Sequence, residues 1–483
     1  GFSEEALELC KLINFSPCQA GSMKGLGDCY RMQGDCQTAT DYYSTALEIY
    51  RSLNDPAGQA ETLSGIGKCL MWEGEYGHAL ELLESATTFY QLANDSLGEG
   101  WNFLDIADCY WIKGAYRQGI KNCKKALEAF RRLDIREAFE GRVGALIQLG
   151  NFYFAINQKE EARKQWEEAL RLSEDISYAT GKAGSLMNLG LYFLDQGDPL
   201  HALKNFLDAS QIFWKLDELN NVARCLGNVS ACAVRLGKLS LAMSYQKEAL
   251  EIWERLGDRE EQAVSHNNIA HIYLIMEDYE NALTHFNRAR ELAGNRAELT
   301  WRIHAGIAAC YRSTGSRVDD PQQRSRLLED AVKEWEAAVE DIEQMRGELH
   351  HALWSFSFLQ EKRYVYEDLI SALLDLRRLE RGFLYAERAK ARTLLDMMET
   401  ALIRTPQILP SKLQTTAQVL HRLSAVRAQE ALGTRSPTER GSLARAAQRA
   451  REELQAYLDQ LAEDNPVLSN TLTVDPQRIS SYC

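Results

Sequence analysis

Eleven cysteines and nine histidines are the most reactive side chains in this 483-residue sequence, and their spacing argues against catalysis by them. Cys29, Cys69, Cys109, Cys232 and Cys310 each stand two residues after a small residue (Gly27, Gly67, Ala107, Ser230, Ala308). A place shared at regular intervals suits a small buried hydrophobe, whereas a reactive thiol needs an exposed, electropositive setting. Cys483 is the last residue, with no base that the sequence assigns to it. His350 and His351 are adjacent, so on a helix their side chains point about 100° apart; His266 and His271 are five apart, which is poor spacing for a shared metal. The segment Ser64 to Cys69 (SGIGKC) glances towards a phosphate loop but lacks the first glycine of GxxxxGK[ST]. Runs of Asp and Glu read as solvated helix faces. The expectation is no catalytic residue, no metal and no cofactor, which leaves recognition as the chemistry.

The elements that would carry recognition are helices. Lys and Arg number 55 against 69 Asp and Glu, a formal charge of −14, and an acidic field repels phosphate backbones, so nucleic acid is not an expected partner. With 45% hydrophobic and 26% charged residues the chain reads as a folding one, and it contains no apolar run near the roughly 20 residues that span a bilayer, so no membrane partner is expected. Nine prolines, clustered towards the C-terminal part, permit long helices over most of the length. The sequence begins at Gly1 with GFSEEALELC, acidic and helix-like where a secretory leader is basic and then apolar, so a processed or excerpted chain in a reducing cytoplasm is expected.

A period organises these helices. Gly27, Gly67, Ala107, Gly150, Gly190, Ser230, Ala270 and Ala308 are spaced by 40, 40, 43, 40, 40, 40 and 38 residues. Ala39, Ala79, Gly119, Ala162, Ala202, Ala242, Ala282 and Ala331 follow them, and then Ala46, Ala86, Ala126, Ala169, Ala209, Ala249, Ala289 and Ala338. Turns such as Gly34-Asp35, Gly74-Glu75 and Gly197-Asp198 separate the first series from the second. Small side chains at fixed places let two antiparallel helices approach closely, with Tyr30, Tyr110, Tyr153, Tyr273 and Tyr311 filling the space beside them.

These residues resemble the tetratricopeptide repeat, whose pattern puts a small residue at position 8, an aromatic at 11 and alanines at 20 and 27. The resemblance covers residues 20–345 and implies an all-α, right-handed superhelical solenoid of about nine helix pairs followed by a helical hairpin. Here the unit has 40 residues instead of the usual 34, with a segment like LNDPAGQAETL between units, so the second helix and the inter-repeat turn are expected to be longer. Gly119 and Cys123 depart from the pattern, and SRVDDPQQRS in the eighth unit is expected to be a surface loop. Residues 1–19, with Ala6 and Cys10, read as the second helix of a truncated repeat, and 346–405, with Tyr366, Ile370, Leu373, Leu379, Gly382 and Ala389, as a divergent last one.

In such repeats positions 2, 5, 9 and 12 of each first helix project into the concave groove, lying within about 80° on a helical wheel. They give Lys24, Asp28 and Arg31; Lys68 and Met71; Trp101, Asp108 and Trp111; Asn151; Arg224; Asn267 and His271; Arg302 and Arg312. The expected partner is a protein or peptide ligand. Trp101 and Trp111 with Asp108 between them either hold an apolar anchor and a basic neighbour or pack against the adjoining repeat. Arg224, Arg302 and Arg312 either receive an acidic segment or pair with glutamates of the chain. Asn188, Asn228 and Asn268 share one repeat place and either bond a peptide backbone or bridge neighbouring repeats.

After Met398 the pattern changes. Pro406 and Pro410 break the helix, and 411–431 and 438–463 read as two helices, the second opened by Ser436-Pro437-Thr438-Glu439, so 406–464 is expected as a helical hairpin. The run AERAKARTLLDMM, Ala386 to Met398, resembles the segment that closes the repeat array in proteins joining tetratricopeptide repeats to a CHAT domain, a caspase-like protease fold related to separase. That resemblance implies that 465–483 opens such a domain and that the chain is a sensor arm controlling a protease in cis, whose catalytic residues are not in this sequence. The alternative is a stand-alone adaptor that scaffolds signalling or polarity proteins.

Overall fold

A computed structural model describes residues 15–294, 296–348, 355–386 and 388–389, and among these every regular element is an α-helix. The expected hairpin at 406–464 and the segment 465–483 lie outside the described residues, as does the part of 1–19 before residue 15. No described helix is long and apolar enough to cross a membrane.

The chain divides into two units, Gly1–Lys238 and Leu239–Cys483. The first holds α1 (Ser16–Met32), α2 (Cys36–Ser52), α3 (Pro56–Trp72), α4 (Tyr76–Leu92), α5 (Ser96–Ile112), α6 (Tyr116–Arg131), α7 (Arg136–Ala155), α8 (Lys159–Asp175), α9 (Ala179–Asp195), α10 (Pro199–Lys215) and α11 (Leu219–Arg235). The second holds α12 (Leu239–Leu256), α13 (Arg259–Ile275), α14 (Tyr279–Ala293), α15 (Ala297–Ser316), α16 (Pro321–Glu348) and α17 (Ser355–Asp375), with 379–386 also helical. Odd-numbered helices are the first of each repeat and even-numbered ones the second.

Local chemistry sets these boundaries. The carboxylates of Asp35, Asp55, Asp95, Asp198, Asp258 and Asp278 each accept from backbone N–H groups in the first turn of the helix they precede, satisfying donors that have no partner within the helix. Pro56 and Pro199 occupy the first helical position, where the missing N–H is no loss. Gly34 and Gly74 turn the chain with φ of +83° and +85°, a conformation that side chains disfavour. The helices α1 to α5 all have 17 residues and are joined by three-residue turns. The added length of the 40-residue unit is therefore shared by both helices, and the inter-repeat turn stays short, unlike the sequence expectation.

Pairing depends on size complementarity at one place per repeat. A Cβ placed on Gly27 would lie 2.8 Å from the Tyr43 ring, on Gly67 2.9 Å from Leu83, on Gly150 2.4 Å from the Trp166 indole and on Gly190 2.7 Å from Phe206. In these four pairs a bulky side chain of the second helix thus lies on the bare backbone of its partner first helix, and Tyr43, Leu83, Trp166 and Phe206 are all buried. Gly119, a departure from the alanine of other repeats, has its reason here: a Cβ there would meet the Phe152 ring at 2.1 Å. In the second unit α13 and α14 pair, as do α15 and α16, and Trp335, Val339, Tyr366 and Leu373 lie in one buried cluster that carries the stack through α17.

The insertion in the eighth repeat differs from its expectation. Residues 321–325 are helical, because Asp320 accepts from the N–H groups of Gln322 and Gln323 and Pro321 opens α16. An aspartate followed by proline starts a helix as readily inside an insertion as elsewhere. Only residues 317–320 remain outside α15 and α16, though the opening turns of α16 are exposed.

Candidate functional site: the face of the first helices

In the first unit α1, α3, α5 and α7 each touch the next first helix, as far as α9, in addition to their pairing with second helices. Polar side chains tie this layer together. Lys24 Nζ on α1 donates to Glu61 Oε2 on α3 at 2.7 Å, and Lys68 Nζ on α3 lies 2.9 Å from Asp105 Oδ2 on α5. Gln148 on α7 donates a short hydrogen bond to Asp108 on α5. Within the first pair, Tyr43 OH donates to Asp28 Oδ1 at 2.7 Å and accepts from Arg31 Nε at 3.3 Å. Burial, followed by the Asp28 bond, raises the pKa of this phenol, so it stays a donor.

Three cations of this face therefore have carboxylates: Lys24 with Glu61, Arg31 with Asp28 at 3.9 Å, and Lys68 with Asp105. Asp108 is left over. Its hydrogen-bond partner is the neutral Gln148, and among the described residues no cation lies within ion-pair distance of it. Crowding by protein atoms, then the neighbouring Asp105 charge, pushes its pKa up to about 6. Trp101 and Trp111, on the same helix, are 41% and 40% exposed, so each keeps one flank open. Their other flanks are fixed: Trp101 stands edge-on to Phe130 at 5.3 Å, and Trp111 edge-on to Phe152 at 5.2 Å and tilted against Tyr116 at 5.4 Å. Both packing and exposure hold for these two side chains.

The remaining sequence candidates divide. Asn151 accepts from Trp166 Nε1 at 3.2 Å and so serves the pairing of α7 and α8. Arg224 is exposed, with no carboxylate within ion-pair distance among the described residues. In the second unit, Asn267 is buried within the stack and does not present itself on an open face. His271 stands edge-on to Phe286 at 5.0 Å, and burial, then the Arg302 charge, pulls its pKa down to about 4. Arg302 is exposed and lies over the Trp301 ring. Arg312 is taken up within the chain, 3.4 Å from Asp368, 2.9 Å from Ser371 Oγ and 3.7 Å from Asp375, joining α15 to α17. Asn188 is buried, while Asn228 and Asn268 are half-buried.

Sequence reasoning missed Glu61, Asp105 and Gln148, the partners that decide which groove charges are free. The register held a signal for two of them: Asp105 and Gln148 occupy the repeat place of Asn188, Asn228 and Asn268, one step round the helix from the positions read as groove-facing. The neighbour of His266 was not foreseen either: its Nδ1 lies 2.9 Å from Nδ1 of His285 on the adjacent helix. Among the described residues no group of three or more His, Cys, Asp or Glu has metal-binding geometry.

The cysteines at the shared repeat place also divide. Cys69, Cys109, Cys232 and Cys310 are buried, and burial is the first cause of thiol pKa values pushed up to about 11, 12, 11 and 12. Cys29 is exposed, contrary to the expectation for its repeat place. Cys69 packs where Cys36 and Arg31 of the preceding repeat approach it, whereas no described helix precedes α1.

The tetratricopeptide repeat profile matches residues 2–52, 182–255 and 219–295, and a second profile of the same repeat matches 143–176. The chain carries tetratricopeptide repeats. Two solved tetratricopeptide-type structures resemble it in fold. One is the apo form of the quorum sensor NprR from B. thuringiensis, 18% identical over 67% of this chain and 91% of that one, with a TM-score of 0.50. The other is PH0952 from Pyrococcus horikoshii, a signal transduction ATPase with numerous domains and a tetratricopeptide repeat sensor, 14% identical over 71% of this chain and 53% of that one, with a TM-score of 0.52. No curated protein sequence matches the chain.

Proposed function

We propose that the chain is a polypeptide-binding regulatory arm: the face of its first helices holds an extended protein segment, and the array controls a CHAT-type caspase-like protease in cis. One observation carries the binding part. Trp101 and Trp111 are held rigidly by Phe130 and Phe152 on one side and open on the other, the state of an aromatic anchor awaiting a partner, since little side-chain freedom is left to lose on binding. Quorum-sensor and sensor-domain relatives in fold are in keeping with a sensing role. The protease part rests on the run Ala386 to Met398 and its likeness to the segment preceding CHAT domains.

Binding is tested by panning random linear peptides on the full chain and on a Trp101→Ala/Trp111→Ala variant. The native chain is expected to retain peptides that the variant loses; equal retention by both removes the aromatic anchors from the account. Control in cis is tested by the reading frame after codon 483. A domain with a His and a Cys in caspase-like context supports it, and an immediate stop favours the stand-alone adaptor.

A further inference from the structure

The proposed binding face has an uneven charge distribution. In its first three repeats Lys24, Arg31 and Lys68 face Asp28, Glu61, Asp105 and Asp108, and each cation lies within ion-pair distance of at least one of the first three carboxylates. The unmatched carboxylate is also the one next to an open aromatic face. Asp108 precedes Trp111 by three residues, adjacent on a helix surface, and follows Trp101 by seven, nearly the same azimuth. Gln148 fixes the carboxylate from the α7 side, and Phe152 with Tyr116 fixes the indole. An oriented carboxylate and an oriented indole with no cation between them match the requirements of a guanidinium or ammonium group.

Resting on the polypeptide-binding reading of this face, we infer that α5 takes a Lys or Arg side chain of an extended ligand segment, its cation held between the Asp108 carboxylate and the Trp111 ring, with an apolar ligand side chain against Trp101. The occupant is set by charge complementarity. An acidic segment would bring a like charge to Asp108, and a wholly apolar one would bury an ionised carboxylate without a partner. The nearby Asp105 charge disfavours the ionised Asp108 carboxylate and the Lys68 charge favours it, and an incoming cation adds to the second effect. Asp108 and Trp101 are about 10 Å apart along the helix axis at about 1.5 Å per residue. An extended ligand rising about 3.3 Å per residue then places its basic and apolar residues about two to four positions apart.

The same panning on the full chain separates this inference from the reading beneath it. Native protein is expected to enrich peptides with Lys or Arg two to four positions from a large apolar residue. Asp108→Asn, which keeps the shape and an acceptor for Gln148, is expected to lose the basic preference but keep the apolar one, and to bind the best native-selected peptide about ten-fold more weakly. Asp108→Glu keeps the charge and is expected to keep the basic preference, which guards against a loss caused by misfolding. Enrichment of peptides without basic residues, or a basic preference unchanged in Asp108→Asn, overturns the inference and leaves polypeptide binding standing. No enrichment above background by the native chain overturns both.

Discussion

Gly150→Ala and Gly144→Ala change one helix, α7, by the same methyl group, and the packing of the repeat gives them opposite signs. At Gly144 the nearest atom to a new Cβ is Leu104 Cδ1 at 3.8 Å, ordinary contact, so the gain in helix propensity stands alone at about 0.5–1 kcal/mol. At Gly150 the new Cβ would lie 2.4 Å from Trp166 Nε1, an atom that donates to Ile147 O at 3.1 Å and to Asn151 Oδ1 at 3.2 Å. Trp166 is only 1% exposed and has no open side to retreat into. Overpacking costs about 1–3 kcal/mol, and weakening the indole hydrogen bonds adds about 1 kcal/mol. Against the propensity gain of about 1 kcal/mol, the net expectation is a loss of about 1–3 kcal/mol. Hydrogen–deuterium exchange of α7 and α8 amides reads this locally, as suits a repeat array that does not unfold as one block. Faster exchange in Gly150→Ala and unchanged or slower exchange in Gly144→Ala are expected. Equal behaviour of the two variants refutes the packing argument.

Three further outcomes follow from the site. Because the folded pKa of Asp108, about 6, lies above the ordinary carboxylate value, its ionised form opposes folding; Asp108→Asn is expected to be the more stable protein at pH 8, with the advantage shrinking as pH falls through 6 and gone below about 4, and urea midpoints at the two ends check it. The pKa values of His266 and His271 are pulled down to about 4, by burial first. Protonation therefore favours the unfolded state, and the stability of the second unit is full above about pH 6.5 and is lost as pH falls towards 4. Amide exchange in α13 and α14 at pH 7 and pH 4.5 should show that loss, and equal protection at both would contradict it. Brief iodoacetamide treatment followed by mass spectrometry is expected to modify Cys29 well before Cys69, Cys109, Cys232 or Cys310; a buried one reacting first would show that the stack opens.

The fold was legible because one structural demand recurs every 40 residues. A bulky side chain on the second helix needs bare backbone opposite, and Gly27 with Tyr43 or Gly150 with Trp166 prints that demand in the sequence. What was less legible was occupancy. A helical wheel places Arg312 and Arg302 on similar terms, yet Arg312 is drawn into Asp368 and Asp375 while Arg302 has no carboxylate partner among the described residues. Likewise Asn267 reads as groove-lining by position but is buried, because how far a place opens depends on its neighbours in three dimensions and not on phase alone. The insertion at 316–325 was read as a surface loop because it interrupts the repeat between its two helices, while Asp320-Pro321 carried the helix start. Cys29 shares a repeat place with the buried Cys69 yet is exposed, and Cys69 has Cys36 and Arg31 of the preceding repeat beside it, contacts that repeat phase alone does not announce.

The central claim, that the layer of first helices holds another polypeptide, is tested most directly by amide exchange of the full chain with and without the best peptide recovered from panning. The account predicts slowed exchange along α3, α5 and α7 and no change along α4 and α6. Protection confined to the second helices, or bound peptide with no protection of α5, would contradict it.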